Sequence, residues 1–354
     1  MCGINGFNFK DIDLIKKMSS ITSSRGPDNQ DYFSTENYTV GHNRLAIIDL
    51  DKRSNQPFKF ENLVISYNGE IYNYVDLTNK LKNLGYNFQT TSDTEVIIKL
   101  FHKYGEDSFK MLSGIFAFSI YDVNKNIFYL VRDVVGVKPL YYYHDKFEKK
   151  FYFSSLIKSL LVSNINRELN LSAVKSYANF NRNDLRETYF KNIFKVLPGE
   201  MIKFSNNEFQ RKKVIDLIPN QKVSTINIKK DIENIFSNQL ISDVPVAVSL
   251  SGGVDSNLLF NEMYKKLGNN FTSYSVNFKK SKKYNVDHDV AKEISNKFGV
   301  KFRSIETSFV DFINRAEDVV SIVEEPTGNT NSIANLILSE NISEKVLFSG
   351  DGGD

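Results

Sequence analysis

Cysteine is almost missing from this chain: there is one, Cys2, among 354 residues. A lone thiol cannot form an internal disulfide, which fits a reducing compartment. No uninterrupted apolar run approaches the ~20 residues that a membrane span needs. The N-terminus lacks the basic-then-apolar pattern of a secretory signal. Neither sign of charge dominates, with Lys+Arg 45 against Asp+Glu 42, which argues against a nucleic-acid groove or an acidic tail. The phosphate-loop pattern Gly-x-x-x-x-Gly-Lys-Ser/Thr is absent too. With 41% hydrophobic and 25% charged residues, the chain reads as an ordinary soluble globular protein, expected in the cytoplasm. Its length predicts about two domains.

In place of the common phosphate loop stands Ser249-Leu250-Ser251-Gly252-Gly253-Val254-Asp255-Ser256. It follows the β-branched run Val244-Pro245-Val246-Ala247-Val248, which predicts a buried strand. It precedes Leu258, Leu259, Phe260, Met263 and Leu267, with Gly268 as a helix stop. Strand, Gly-rich loop and helix make a concave anion site at the positive end of the helix. Asp255 would repel a bare phosphate unless a cation lay between them. The loop therefore points to Mg-pyrophosphate, and to ATP cleaved between its α and β phosphates. Further strands are expected at 246–250, 272–278, 300–305 and 345–349. A helix carrying Val290, Ile294 and Phe298 intervenes before Gly299. Crossovers of this kind make the strands parallel and put the following loops on one sheet edge. The loop Ser349-Gly350-Asp351-Gly352-Gly353-Asp354 would then face the crevice that holds Asp255, as Mg²⁺ with polyphosphate requires.

At the other end of the chain, Cys2 lies in Met1-Cys2-Gly3-Ile4. Removal of Met1 would give Cys2 both a thiol and an α-amine, and an amine titrating near pH ~8 can serve as the base for the thiol. A chance cysteine at a frayed end is the competing reading, at even odds on position alone. Downstream, Arg25-Gly26-Pro27-Asp28 reads as a turn. Gly41 to Asp49 reads as a strand with Arg44 near its start. Leu63 to Tyr67 reads as a strand ending in an Asn68-Gly69 turn. A helix follows with Leu77, Leu81 and Leu84, closed by Gly85. Ser92-Asp93-Thr94-Glu95 reads as a capping box ahead of a helix with Val96, Ile97, Leu100, Phe101 and Tyr104 on one face. Short strands are expected at 115–121, 127–132, 139–143 and 151–154. Strands, two helices and more strands predict helices covering antiparallel sheets.

These segments, with Arg132-Asp133 and Gly136-Val137-Lys138-Pro139-Leu140-Tyr141-Tyr142, resemble a class II glutamine amidotransferase domain. Joined to Ser251-Gly252-Gly253-Val254-Asp255-Ser256, they resemble the glutamine-hydrolysing asparagine synthetase family over nearly the whole chain. The resemblance implies an N-terminal-nucleophile hydrolase, a four-layer αββα sandwich with antiparallel sheets, over residues 2–205. It implies an α/β parallel-sheet ATP pyrophosphatase, Rossmann-like and incomplete at its C-terminus, over 231–354. The polar stretch 206–230 is expected to be a linker or peripheral hairpin. By resemblance, Cys2 attacks the glutamine side-chain amide, while Asn68 and the Gly69 N–H form the oxyanion hole. Arg44 pairs with the α-carboxylate of glutamine and Asp93 with its α-ammonium. Leu45, Ala46, Ile47, Ile48 and Glu70 complete the pocket. Taken singly, Asn68-Gly69 is a hairpin turn, Asp93 a capping residue and Arg44 a surface charge; only their joint occurrence in order outweighs those readings. Leu250, Ser251, Gly252, Gly253, Ser256, Val276, Ser349 and Gly350 match ATP-binding positions, with Asp255 and Asp354 at the metal and Asp351 in forming the acyl-adenylate. Glu325-Pro326-Thr327-Gly328 matches a loop beside the acceptor.

Three positions depart from the family pattern. Ser24 stands for a frequent His, Leu156 for Glu in Ser155-Leu156-Ile157-Lys158, and Asn329 for a frequent Asp. The chain also stops at Asp354, where the family continues, so a fragment is expected. The resemblance implies an ATP-dependent amide ligase that adenylates aspartate and passes it ammonia through a shielded passage, with glutamine, ATP and aspartate as its small-molecule partners and Mg²⁺ as cofactor. Neither nucleic acid nor membrane is expected as a partner, and a homodimer is compatible with the resemblance. Three alternatives remain: an amidotransferase for another carboxylate such as a sugar uronic acid, a bare glutaminase, and a non-catalytic scaffold.

Overall fold

The computed structural model describes residues 1–181, 186–216, 227–279, 285–327 and 329–350, and the chain divides into two units, Met1–Lys222 and Val223–Asp354. No helix among the described residues is long and apolar enough to cross a membrane.

The N-terminal unit opens with β1 (Gly3–Phe7), α1 (Ile12–Ile21), β2 (Asn29–Thr35), β3 (Tyr38–Arg44), β4 (Phe58–Phe60) and β5 (Leu63–Ile71). Two helices follow, α2 (Tyr74–Asn83) and α3 (Asp93–Tyr104), and then β6 (Gly114–Asp122), β7 (Ile127–Arg132), β8 (Tyr141–Asp145) and β9 (Lys150–Ser154). It closes with α4 (Ile157–Leu161), α5 (Leu171–Phe180), β10 (Ile193–Lys195), β11 (Glu200–Ser205) and β12 (Glu208–Lys213). Two antiparallel sheets result, in the orders β10-β8-β9-β1-β3-β2 and β12-β11-β7-β6-β5-β4.

Three apolar clusters stack these elements into layers. Ile4, Val40 and Phe153 of the first sheet meet Val64, Ala117 and Leu130 of the second, with the rings of Tyr38 and Tyr121 stacked at 4.2 Å between centroids. Ile15, Met18 and Leu160 of α1 and α4 cover the outer face of the first sheet. Leu77, Leu81, Val96, Ile97 and Leu100 of α2 and α3 cover that of the second. Strands this rich in large apolar side chains are buried on both faces, and the order helix, sheet, sheet, helix is the expected αββα sandwich.

Within 206–230, Asn206 and Asn207 take positive φ angles of 51° and 63°, the turn that joins β11 to β12 as a tight hairpin. That hairpin edge belongs to the second sheet, and residues 217–226 lie outside the described residues.

The C-terminal unit runs α6 (Ile228–Gln239), β13 (Val246–Ser249), α7 (Val254–Leu267), β14 (Thr272–Phe278), α8 (Val286–Lys297) and β15 (Lys301–Thr307). After these come α9 (Phe309–Asn314), α10 (Ala316–Val323), α11 (Asn331–Asn341) and β16 (Val346–Phe348). The sheet is parallel, in the order β15-β14-β13-β16. Val246 and Val248 pack under Leu259, Phe260 and Met263 of α7 on one face. Ala247 packs with Ile337 and Leu338 of α11 on the other. The chain moves outward from β13 to β14 and β15, then returns to β13's other side, which opens a crevice beyond the strand ends there.

Three local readings are corrected. Asn68-Gly69 is not a turn: β5 continues to Ile71, and Asn68 and Gly69 pair with Ala117 and Phe116. A nine-residue partner strand outweighs the local turn preference. The strand expected from Gly41 to Asp49 ends at Arg44, because residues 45–55 form a loop whose carbonyls this arginine holds. Glu95 does not close a capping box on Ser92; its carboxylate instead accepts from the Gln89 and Thr90 N–H groups and pairs with Lys99 Nζ at 2.5 Å. The helix expected before Gly299 is α8: Ile294 and Phe298 pack on the core beside Ala291, while Val290 stays 37% exposed and His288 and Ser295 are buried as well.

Candidate functional site

Cys2 is placed by what surrounds β1. Asn5 in β1 donates to Thr22 at 2.7 Å, accepts from Ser154 and Ser159, and Thr22 in turn donates to Asn43 at 2.6 Å. All are buried, so the network fixes the strand. Just before it, the Cys2 carbonyl accepts from Arg25 Nε at 2.9 Å, and its Sγ accepts from the Leu45 N–H at 3.4 Å. The Arg25–Asp28 turn reaches in because Gly26 has no side chain: a Cβ there would sit 2.2 Å from the Asn43 carbonyl oxygen. Asp28 then accepts the Ala46 N–H at 2.7 Å, tying the turn to the loop that follows β3.

Burial pushes the Cys2 thiol above its ordinary range, and the Leu45 N–H opposes the shift. Although Met1 is 53% exposed, burial of its amine lowers that group to about 6, an effect the neighbouring Cys2 opposes.

Arg44 ends β3 as a buried side chain. It donates to the Asp51 carbonyl at 2.9 Å and to Asn55 Oδ1 at 2.8 Å, and to the carbonyls of Ile48 and Asp49. Asp93, at the start of α3, accepts from the Tyr67 hydroxyl at 2.6 Å and the Ile71 N–H at 3.0 Å. Its burial raises the carboxyl pKa, and those donors hold the rise back.

One small cavity of about 30 Å³ collects Cys2, Arg44, Leu45, Ile47, Ile48, Gly69, Glu70 and Asp93. Ala46 and Asn68 are not among its lining residues. Asn68 is 1% exposed, and its Nδ2 is buried with no hydrogen-bond partner. A buried amide donor left unpaired costs folding free energy, so this atom stands ready for an acceptor. Gly69 is required beside it, since a Cβ would meet the Ile115 carbonyl oxygen at 2.2 Å.

Residue-type reasoning passed over Ser54, Gln56, Tyr67, Ser92 and Thr94, which also line the cavity. Gln56 accepts the Tyr67 N–H at 2.6 Å and donates to Thr94 at 3.2 Å. No motif marks these residues. The signal that pointed toward them was the neighbouring Asn68 and Asp93.

In the C-terminal unit a crevice of about 500 Å³ is lined by Leu250, Ser251, Gly253, Asp255, Ser256, Val276, Ser349 and Gly350. The two Gly-rich loops thus converge: a Cβ on Gly350 would lie 2.9 Å from the Ser256 nitrogen. Gly252 is not among the lining residues, yet it forms the bend, with φ +76° and a Cβ position 3.0 Å from the Asp287 carbonyl oxygen. Asn257 Nδ2 draws back the carbonyls of Gly252 and Gly253 at 2.8 and 2.9 Å. The N–H-bearing start of α7 is left toward the crevice, a setting suited to an anion. Asp287, His288, Asn331, Asn335 and Leu338 line it too. The last three recur every third or fourth residue on α11, a spacing legible in the sequence but shared by any amphipathic helix. Asp351, Gly352, Gly353 and Asp354, like Gly328, lie outside the described residues. Leu156 precedes α4, and Asn329 accepts the Asn331 N–H at 2.9 Å at the start of α11.

Family comparisons agree with this division. Residues 1–214 match the model described as a glutamine amidotransferase domain, and residues 227–354 match the model described as asparagine synthase. The class is therefore a glutamine amidotransferase unit followed on the same chain by a synthase unit. A glutamine-hydrolysing asparagine synthetase of Bacillus subtilis is 32% identical over 100% of this chain and 58% of its own length. A putative asparagine synthetase of Methanocaldococcus jannaschii is 32% identical over 100% of this chain and 74% of its own. An amidase of Penicillium rubens is 29% identical over 97% of this chain and 54% of its own. The chain belongs to the glutamine-hydrolysing asparagine synthetase family, and spans between about half and three quarters of the length of these relatives.

Proposed function

We propose that this chain carries the two half-reactions of an ATP-dependent amide ligase, with aspartate as the acceptor. The observation that carries the reading is the sorting of residues between two cavities. Cys2, Arg44, Gly69, Glu70 and Asp93 share one, while Asp255, Ser256, Ser349 and Gly350 share the other.

In the first, Cys2 Sγ attacks the side-chain amide carbon of glutamine. The carbonyl oxygen takes negative charge, and Asn68 Nδ2 and the Gly69 N–H receive it. Collapse forms a γ-glutamyl thioester and releases ammonia, and water later frees glutamate. The α-amine left on Cys2 after loss of Met1 serves as base for the thiol, whose burial otherwise keeps it protonated. Asp93, raised by burial, gains its counter-charge from the α-ammonium of glutamine. Arg44 faces the α-carboxylate while holding the loop at residues 48–55.

In the second, the start of α7 and the bend at Gly252 receive the polyphosphate of ATP, and the acceptor carboxylate is adenylated with loss of pyrophosphate. Asp255 suits Mg²⁺, with Asp354 as the second carboxylate. Asp255 lines the crevice, which suits an ion that takes one or two carboxylates plus phosphate oxygens. Bound there, Mg²⁺ would neutralise the pyrophosphate charge.

Glutamine labelled with ¹⁵N in its amide tests the whole reading. Label should appear in asparagine, with AMP and pyrophosphate formed in equal amount. Label in the amide of a uronic acid instead would replace the acceptor. Glutamate release that ignores ATP and acceptor would reduce the reading to a glutaminase.

A further inference from the structure

The geometry points to His42 as a positioning residue for the oxyanion hole: an imidazole whose Nε2 fixes the peptide between Tyr67 and Asn68. The inference rests on the Cys2 reading above and adds to it a residue outside the cavity.

His42 lies in β3, in the first sheet, and is fully buried. Its Nε2 is 2.9 Å from the carbonyl oxygen of Tyr67, which belongs to β5 in the second sheet. The contact therefore spans the two layers. It falls where β5 loses a neighbour, because β4 pairs only with Leu63 to Ile65. Two residues further along, the Tyr67 N–H goes to Gln56 Oε1 at 2.6 Å and its carbonyl goes to His42. Side chains replace a missing strand there, and the next residue is Asn68, with its unpartnered amide.

The chemistry of the contact fixes the state of the ring. A carbonyl oxygen only accepts, so Nε2 carries the proton. Nδ1 is then a bare acceptor, and it is buried with no partner. Adding a proton there would create an unpaired cation near Arg44. Burial, with Arg44 adding to it, lowers the group to about 4. With Nε2 committed and Nδ1 facing no partner, His42 has no path to the thiol and does not act as its base. It donates one hydrogen bond, unchanged across the physiological range.

The test uses the full chain and two substitutions that differ in reach. A glutamine side chain brings its amide nitrogen close to the place of Nε2; an asparagine side chain stops near Nδ1. We expect His42→Asn to lower kcat for glutamine hydrolysis about 10- to 100-fold with KM nearly constant, and His42→Gln to restore most of it. The γ-aldehyde analogue of glutamate adds to the thiol and leaves an oxyanion in the hole, so it should bind His42→Asn more weakly by a similar factor. Alkylation of Cys2 by iodoacetamide makes no oxyanion and should keep its rate. Equal kcat in the asparagine variant and the parent would overturn the proposal. So would alkylation falling in step with hydrolysis, or a folded glutamine variant no better than the asparagine one. The underlying site reading fails separately, if Cys2→Ala still hydrolyses glutamine.

Discussion

Asn68 carries a donor that the free protein leaves unpaired, and its removal separates two effects. Asn68→Ala should lower kcat for glutamine hydrolysis by about 10²–10³-fold with little change in KM, as for other single oxyanion donors; steady-state kinetics check this. Cys2→Ala should abolish glutamine hydrolysis while free ammonia still supports amidation. His42 gives a pH prediction. Its unfolded value is near 6.5 and its folded value about 4, so between these the unfolded chain binds more protons. Stability tied to this group is therefore full above about pH 6.5 and is lost as pH falls towards 4, by about 3 kcal/mol at most. Urea unfolding of the parent and of His42→Gln at pH 7 and pH 5 should show a smaller acid loss in the variant. At this scale the grouping of Cys2, Arg44 and Asp93 at one cavity, and of Asp255 at the other, was legible in the sequence through motifs taken together rather than singly. His42, Gln56 and Tyr67 were not: His42 meets Tyr67 across two sheets and Gln56 meets it from a loop, and neither contact leaves a periodic or turn signal.

Elements carry the site by unusual means. Asp133 follows β7, fully buried, and its carboxylate accepts the backbone N–H groups of Phe116, Val135, Gly136, Val137 and Lys138. The loop that ends in the half-buried Lys138 hangs on this one side chain. Asp133→Asn replaces one acceptor oxygen by a donor and should destabilise the N-terminal unit by about 2–4 kcal/mol. Hydrogen exchange at 135–138 would accelerate ahead of the sheet. In the C-terminal unit, Asn257→Ala frees the carbonyls of Gly252 and Gly253 and should raise KM for ATP about tenfold, measured by pyrophosphate exchange. Strands at 127–132 and 272–278 were readable to the residue, since aromatic and β-branched runs bounded by turns admit little else. Asn68-Gly69 was misread, because a local turn preference says nothing about a partner strand some fifty residues away. On α8 the apolar residues Ile294 and Phe298 were readable, but the buried His288 was not: its contact with Ser304 at 2.9 Å is one that an apolar count does not register.

At the scale of the whole molecule, each unit has cores of its own. Calorimetry should show two unfolding transitions rather than one. The glutamate aldehyde should raise only the first unit's midpoint, and ATP with Mg²⁺ only the second's; at a hundred times Kd each gain is about 2.7 kcal/mol. A single transition moved equally by both ligands would count against separate sites. The division into two units on one chain also bears on supply. On the proposed function, each copy of the ammonia source is made together with one copy of the ammonia consumer, at fixed equal numbers. A cell that raises expression of this gene therefore cannot change their ratio, and any tuning of nitrogen flow between them must act on the protein after it is made.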